Sequence, residues 1–162
     1  MEAFFAALMK VAPEWGVKIL ARLRKNKTLS VEELRKRTQI LFVDDEPLDS
    51  ILESIRLSGW NVRQVQEIQS IYADEVKNSD IIFVDYKNVG KTLTPSEEGI
   101  GLLKYLRQKY PNKYLIFFSG YAGFVPGHEV HGIADGWIQK NADPYIYVER
   151  IESAAKKINA RK

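Results

Sequence analysis

Two stretches of the chain run through four consecutive apolar residues directly into aspartate. Ile81–Val84 is followed by Asp85, and Ile40–Val43 is followed by Asp44 and Asp45. An apolar run without polar alternation is typical of a strand that is covered on both faces, as in the middle of a parallel sheet. Because open α/β sheets place their ligand sites at the carboxyl ends of the strands, we expect the three aspartates to lie at such a site.

From residue 39 onward, strand-like segments alternate with helix-like segments. The pattern predicts strands over residues 39–43, 61–65, 81–85, 114–118 and 136–139. It predicts helices from Pro47 to near Gly59, over about 67–77, from Ser96 onward, and from Asp143-Pro144 towards the end of the chain. Strands separated by helices indicate a parallel sheet with helices on both faces. Five of them indicate an α/β, flavodoxin-like doubly wound domain with strand order 2-1-3-4-5.

That strand order makes the first and third strands neighbours. It would bring Asp44, Asp45 and Asp85 together, with Ser119 and Lys140 arriving from the ends of the next two strands. Carboxylates that share a site raise one another's pKa or recruit a cation, and their oxygens suit Mg²⁺. With Mg²⁺ beside it, Asp85 could attack phosphorus as a nucleophile, while Lys140 supplies a point charge and Ser119 a hydrogen bond.

Four short motifs carry these residues, in the order Val43-Asp44-Asp45-Glu46, Val84-Asp85, Phe118-Ser119-Gly120 and Trp137-Ile138-Gln139-Lys140. In this order and at these spacings they resemble the receiver domain of two-component response regulators, over about residues 38–160. The resemblance implies these roles: an acidic pair for Mg²⁺ (Asp44, Asp45), a phosphoacceptor that shares the metal (Asp85), a switch hydroxyl (Ser119), a phosphate-binding lysine (Lys140) and a switch aromatic (Trp137).

The resemblance also implies a partner and a class of activity. The phosphodonor would be a histidine kinase or a histidine phosphotransfer protein, and the phosphotransfer would be self-catalysed, so the chain would be a signalling domain and not an enzyme with turnover. We expect a cytoplasmic protein whose output passes through protein–protein contacts. The absence of cysteine fits a reducing compartment.

The sequence departs from the receiver pattern in four places. Asn141 stands where the family has proline after the lysine, Lys87 follows the phosphoacceptor by two positions, and the segment after Asp85 is longer than usual. A glycine-rich region over 120–134 replaces a regular helix. Asn141 and this region motivate an alternative function, a phosphorylation-independent interaction module with the same fold. A weaker alternative is a phosphohydrolase with an aspartate nucleophile, and the plainest one is that the aspartates are only loop and cap residues.

Residues 1–37 form a basic extension ahead of the receiver-like domain, 38–162. They hold nine Lys/Arg against four Asp/Glu, whereas the rest of the chain has a balance of −2. Apolar residues at helical spacing over about 2–25 predict one amphipathic helix or two short ones, since Pro13 would kink or divide it. This helix could pack on the domain or form a homodimer, and association with a membrane surface is the less favoured option. Because the basic charge lies in the extension, direct binding of nucleic acid is not expected.

Overall fold

The computed structural model describes residues 29–120, 127 and 130–161. Within them, five strands form one sheet in the order β2-β1-β3-β4-β5, and every neighbouring pair is parallel. This confirms the predicted flavodoxin-like fold and its strand order. The strands are β1 (Gln39–Val43), β2 (Asn61–Val65), β3 (Ile81–Asp85), β4 (Tyr114–Ser119) and β5 (Gly136–Gln139).

Helices flank the sheet on both faces. They are α1 (Val31–Arg37), α2 (Asp49–Leu57), α3 (Asp74–Lys77), α4 (Glu98–Lys109) and α5 (Pro144–Arg161). The start of α2 lies two residues after Pro47, which therefore precedes the helix and is not in its first turn. Over the described residues, no helix combines the length and the apolar character needed to cross a membrane.

Each face of the sheet has its own hydrophobic core. On one face, α2 and α5 cover a cluster with six buried aromatic side chains, four of which pack against one another. The rings of Phe42 and Phe83 stack with their centroids 4.1 Å apart, and Phe118 and Tyr147 pack against both of them at 5.7–6.2 Å. On the other face, α3 and α4 cover a mainly aliphatic cluster. The central strands β1, β3 and β4 are therefore buried on both sides, as their apolar sequences predict.

The helix predicted over 67–77 is wrong for most of its length. Within this range only Asp74–Lys77 (α3) is helical, and residues 66–73 form bends and turns. Tertiary contacts hold this segment: the Glu67 carboxylate accepts a hydrogen bond from the amide of Ile68, and the Tyr110 hydroxyl donates to the carbonyl of Ile71. Ile68 and Ile71 are buried, so their apolar spacing reflects packing of an irregular segment against the sheet.

The described end of the extension packs on the domain. Ser30 and Glu33 form a reciprocal capping box at the start of α1, and Leu34 is buried in the core that α2 and α5 cover. The helix predicted over about 2–25 lies outside the described residues, and with it the possible homodimer and membrane contact. Of the glycine-rich region, residues 130–134 form turns and an isolated bridge between His131 and Ala134.

Candidate functional site

A cavity of about 200 Å³ opens at the carboxyl ends of the strands. Four of the predicted site residues line it: Asp45 after β1, Asp85 at the end of β3, Ser119 at the end of β4 and Lys140 after β5. The fifth, Asp44, is fully buried and contacts Lys140. The strand order therefore brings five of the six predicted site residues to one place, all except Trp137.

Asp44, Asp45 and Asp85 form a compact group of carboxylates. One oxygen of each lies within 4.8 Å of the others. Asp44 and Asp85 are buried, with 0% and 6% of their surface exposed, and Asp45 is exposed. Two buried carboxylates at this separation repel each other, so the site needs a positive charge to be stable.

Lys140 supplies part of that charge. Its ammonium nitrogen lies 2.8 Å from Asp44 Oδ2 and 2.8 Å from Glu46 Oε2, but 3.6 Å from Asp85 Oδ2. Partial burial lowers the pKa of Lys140, but the hydrogen bonds to Asp44 and Glu46 and the charge of Asp85 outweigh this and raise it above its ordinary value. Lys140 therefore stays protonated and acts as an internal counter-ion.

Burial raises the pKa of both buried aspartates, and the charge of Asp44 adds to the shift at Asp85. Burial first, and then the charge of Asp44, raise the pKa of Asp85 to about 6 in spite of the attraction to Lys140. Burial also raises the pKa of Asp44, although the hydrogen bond from Lys140 opposes the shift. The single positive charge of Lys140 therefore balances only part of the negative charge of the carboxylates around it.

The cluster of three aspartate carboxylates is suited to bind a divalent cation. Asp44 Oδ2 is buried and accepts no hydrogen bond from the described residues, although it is in ion contact with Lys140. Oxygen donors from carboxylates, together with an open cavity for waters, are what Mg²⁺ requires. Asp44, Asp45 and Asp85 are therefore a chemically suitable set of ligands for Mg²⁺.

Gln64 holds the loop that carries the acidic residues. The sequence alone did not indicate this role for Gln64. From the end of β2, its side-chain amide donates to the carbonyls of Asp44 and Glu46 at 2.8 and 2.6 Å and accepts from the amide of Leu48 at 3.3 Å. A polar residue near the end of an edge strand was the only signal in the sequence.

Tyr147 holds the backbone of Lys140. Its ring is fully buried, and its hydroxyl lies 3.2 Å from the carbonyl of Gln139 and 3.1 Å from that of Lys140. Burial raises the pKa of this hydroxyl, so it remains a donor. In the sequence, Tyr147 looks like any aromatic residue on a helix.

The segment between β3 and α4 is long, as expected, and hydrogen bonds to Glu67 hold it in place. The Glu67 carboxylate accepts hydrogen bonds from the amides of Gly90 and Lys91, at 2.9 and 3.0 Å. At the far end of the segment, Gly99 lies directly against the backbone of Asp85. Lys87 and Asn88, at the start of the segment, line the cavity.

The two predicted switch residues have different positions. Ser119 is buried, lines the cavity, and its carbonyl accepts a hydrogen bond from the amide of Lys140. Trp137 is paired with Phe117 in the middle of β5 and is 37% exposed, so its ring is not enclosed in the core. Trp137 is not among the residues that line the cavity.

Comparison with known proteins identifies the fold. No protein-family model matches the chain, and no curated protein matches it. Among solved structures, it is similar to a response regulator receiver domain protein (CheY-like) from Methanospirillum hungatei JF-1, with a TM-score of 0.61 and 22% identity over 77% of this chain and 98% of that one. A signal receiver domain of an HD domain-containing protein from Pseudomonas fluorescens Pf-5 gives a TM-score of 0.64 at 16% identity, over 77% of this chain and 91% of that one.

A third similar structure carries a modification. It is a response regulator from Burkholderia pseudomallei, with a phosphorylated aspartic acid, calcium ion and citrate; its TM-score is 0.54 at 20% identity, over 76% of this chain and 72% of that one. At these identities the three likenesses show that the chain has the receiver fold.

Proposed function

We propose that this chain, which has the fold of response-regulator receiver domains, is a phosphorylatable signalling protein. Asp85 accepts a phosphoryl group from a phosphohistidine of a histidine kinase or a histidine phosphotransfer protein, in the cytoplasm. Output passes through protein–protein contacts. The observation that carries the proposal is the convergence of three carboxylates, a hydroxyl and an ammonium group on one small cavity at the carboxyl ends of four strands.

The reaction requires a nucleophile, charge neutralisation and positioning. An oxygen of Asp85 forms a bond to phosphorus while the bond from phosphorus to the donor imidazole nitrogen breaks, and the bonding electrons leave with that nitrogen. Asp44, Asp45 and Asp85 would hold Mg²⁺, which neutralises charge on the incoming phosphoryl oxygens when it is bound. Lys140 can move its ammonium from the carboxylates to the phosphoryl group, and Ser119 can donate a hydrogen bond to it.

A phosphorylation assay tests this function. We expect the protein, incubated with Mg²⁺ and acetyl phosphate, to gain the mass of one phosphoryl group, and we expect Asp85→Asn to gain none. Asp74→Asn is the matched control, because it makes the same change at an exposed aspartate on α3. If the wild type forms no adduct, or if Asp85→Asn forms as much as the wild type, Asp85 is not the phosphoacceptor.

The interaction module without phosphorylation is the second candidate. The observation that favours it is that Lys140 already pairs with Asp44, Glu46 and Asp85, so the site has a counter-ion of its own. This function predicts that a partner captured by the wild-type protein binds Asp85→Ala with the same affinity, in the presence or absence of acetyl phosphate. Loss of binding in Asp85→Ala would eliminate it.

A further inference from the structure

We propose that Glu46 is a positioning residue that holds the Lys140 ammonium on the Asp44 side of the site and so delays its transfer to the phosphoryl group. The inference rests on the proposed function, because only a phosphorylated Asp85 offers the ammonium a second place to bind. It assigns a role to a side chain that is neither the phosphoacceptor nor one of the three carboxylates grouped for the metal.

The distances at Lys140 are unequal. Its ammonium donates hydrogen bonds to Asp44 Oδ1 at 3.0 Å and to Glu46 Oε2 at 2.8 Å, whereas Asp85 Oδ2 lies 3.6 Å away, beyond hydrogen-bond distance. An ammonium group has three donors, and the structure gives two of them to residues of the β1–α2 loop. The ammonium of Lys140 is therefore held closer to Asp44 and Glu46 than to Asp85, the residue that would carry the phosphoryl group.

The backbone of Glu46 is fixed for this contact. Its amide donates to Asp44 Oδ1 at 2.9 Å, and its carbonyl accepts from the Gln64 side chain at 2.6 Å. The Glu46 side chain is 70% exposed and reaches back over the cavity to Lys140. An exposed carboxylate on a backbone held by two hydrogen bonds is suited to hold an ammonium group and to release it, because water replaces the contact when it breaks.

The strength of the hold follows from this exposure. An ion pair with one well-exposed partner changes an equilibrium by about two- to fivefold, so Glu46 adjusts the rate of phosphorylation and does not block it. A different role for Glu46, direct repulsion of the incoming phosphoryl group, predicts the same direction of change in the rate. The test must therefore also observe the ammonium group itself.

The first arm of the test needs no phosphorylation. Hydrogen exchange of the Lys140 ammonium is followed by NMR in protein labelled with ¹⁵N-lysine, without Mg²⁺, and the signal is assigned with Lys140→Arg. We expect Glu46→Gln, which keeps the size of the side chain, to speed this exchange by about two- to fivefold. Glu53→Gln removes the same charge from an exposed position on α2 and should leave the exchange unchanged.

The second arm measures the initial rate of adduct formation with Mg²⁺ and acetyl phosphate. We expect Glu46→Gln to form the adduct about two- to fivefold faster than the wild type, and Glu53→Gln to match the wild type. Faster exchange together with a faster rate supports the proposal. Unchanged exchange overturns it even if the rate rises, since repulsion alone then explains the rate.

Two other outcomes separate the proposal from the function beneath it. Faster exchange with an unchanged rate shows that Glu46 binds Lys140 without governing the transfer, which overturns the positioning role while the proposed function stands. If the wild-type protein forms no adduct, the proposed function is overturned. The positioning role of Glu46 is then overturned as well, because it depends on a phosphorylated Asp85.

Discussion

Gly99 lies directly against the main-chain carbonyl of Asp85. A methyl group on Gly99 would overlap the Asp85 carbonyl oxygen and would lie 2.8 Å from that of Tyr86, both of them backbone atoms. The start of α4 can therefore approach the end of β3 only because residue 99 has no side chain. This contact links the first turn of α4 to the candidate phosphoacceptor.

Gly99→Ala should damage both the fold and the site. The backbone of Asp85 or of α4 must move, and we expect the free energy of unfolding to fall by about 2–4 kcal/mol. Gly136→Ala is the control, because a methyl group there meets only Arg150 Nη1 at 3.8 Å, an ordinary contact. Denaturant unfolding of the two variants checks this. Equal stability of the two variants would show that α4 is not in contact with Asp85.

Asp85→Asn should stabilise the protein at neutral pH when no metal is present. The folded-state pKa of about 6 lies above the ordinary value of 3.8, so between these values the folded protein keeps a proton that the unfolded chain has released. Stability therefore falls as pH rises through this window, and the neutral asparagine removes that loss. We expect a gain of about 2–3 kcal/mol at pH 7.5 and almost none at pH 4.

Thermal unfolding in EDTA at the two pH values measures this gain, with Asp74→Asn as the unchanged reference. Mg²⁺ should then reduce the difference, because it stabilises the wild-type site more than the variant. A variant that is less stable than the wild type at pH 7.5 in EDTA would contradict the expectation.

Tyr147→Phe should weaken phosphorylation as well as stability. It removes the hydroxyl that holds the carbonyls of Gln139 and Lys140. Tyr114→Phe is the matched control, because Tyr114 is as buried as Tyr147, with 2% and 0% of their surfaces exposed. The Tyr114 hydroxyl donates a hydrogen bond to the carbonyl of Asp135, the residue just before β5. We expect each variant to lose about 1 kcal/mol of stability, and only Tyr147→Phe to slow adduct formation on Asp85. An equal effect on the rate in both would mean that the loss is general.

Glu67→Gln should loosen the segment between β3 and α4. The amide side chain loses the charge that strengthens the hydrogen bonds from Gly90 and Lys91. We expect hydrogen exchange at these two amides to become at least about tenfold faster. Glu75→Gln makes the same chemical change on α3 and should leave both amides as in the wild type. If exchange at Gly90 is unaffected by Glu67→Gln, the segment is held by other contacts.

The strands, and the convergence of five candidate site residues at their carboxyl ends, could be predicted because their signals are local. An apolar run that ends in Asp85, or in Asp44 and Asp45, can be recognised without knowledge of the rest of the chain, and the order of strands and helices then gives the sheet. The helix over 67–77 was wrong because the partners of Glu67 lie more than twenty positions away.

The hydrogen bond from Lys140 to Glu46 could not be predicted for the same reason. Its bond to Glu46 joins residues 94 positions apart, and the choice of Glu46 over Asp85 depends on where Gln64 holds the loop. The role of Tyr147 depends on which carbonyls its hydroxyl meets, and the sequence carries no sign of that.

The ring cluster beneath the site gives the sheet one stiff side. Four large rings on the face covered by α2 and α5 interlock, and a shift of one would disturb the others. The face covered by α4 holds mainly aliphatic side chains. We therefore expect a change of charge at Asp85 to displace the side chains on the α4 face more than the interlocked rings on the opposite face.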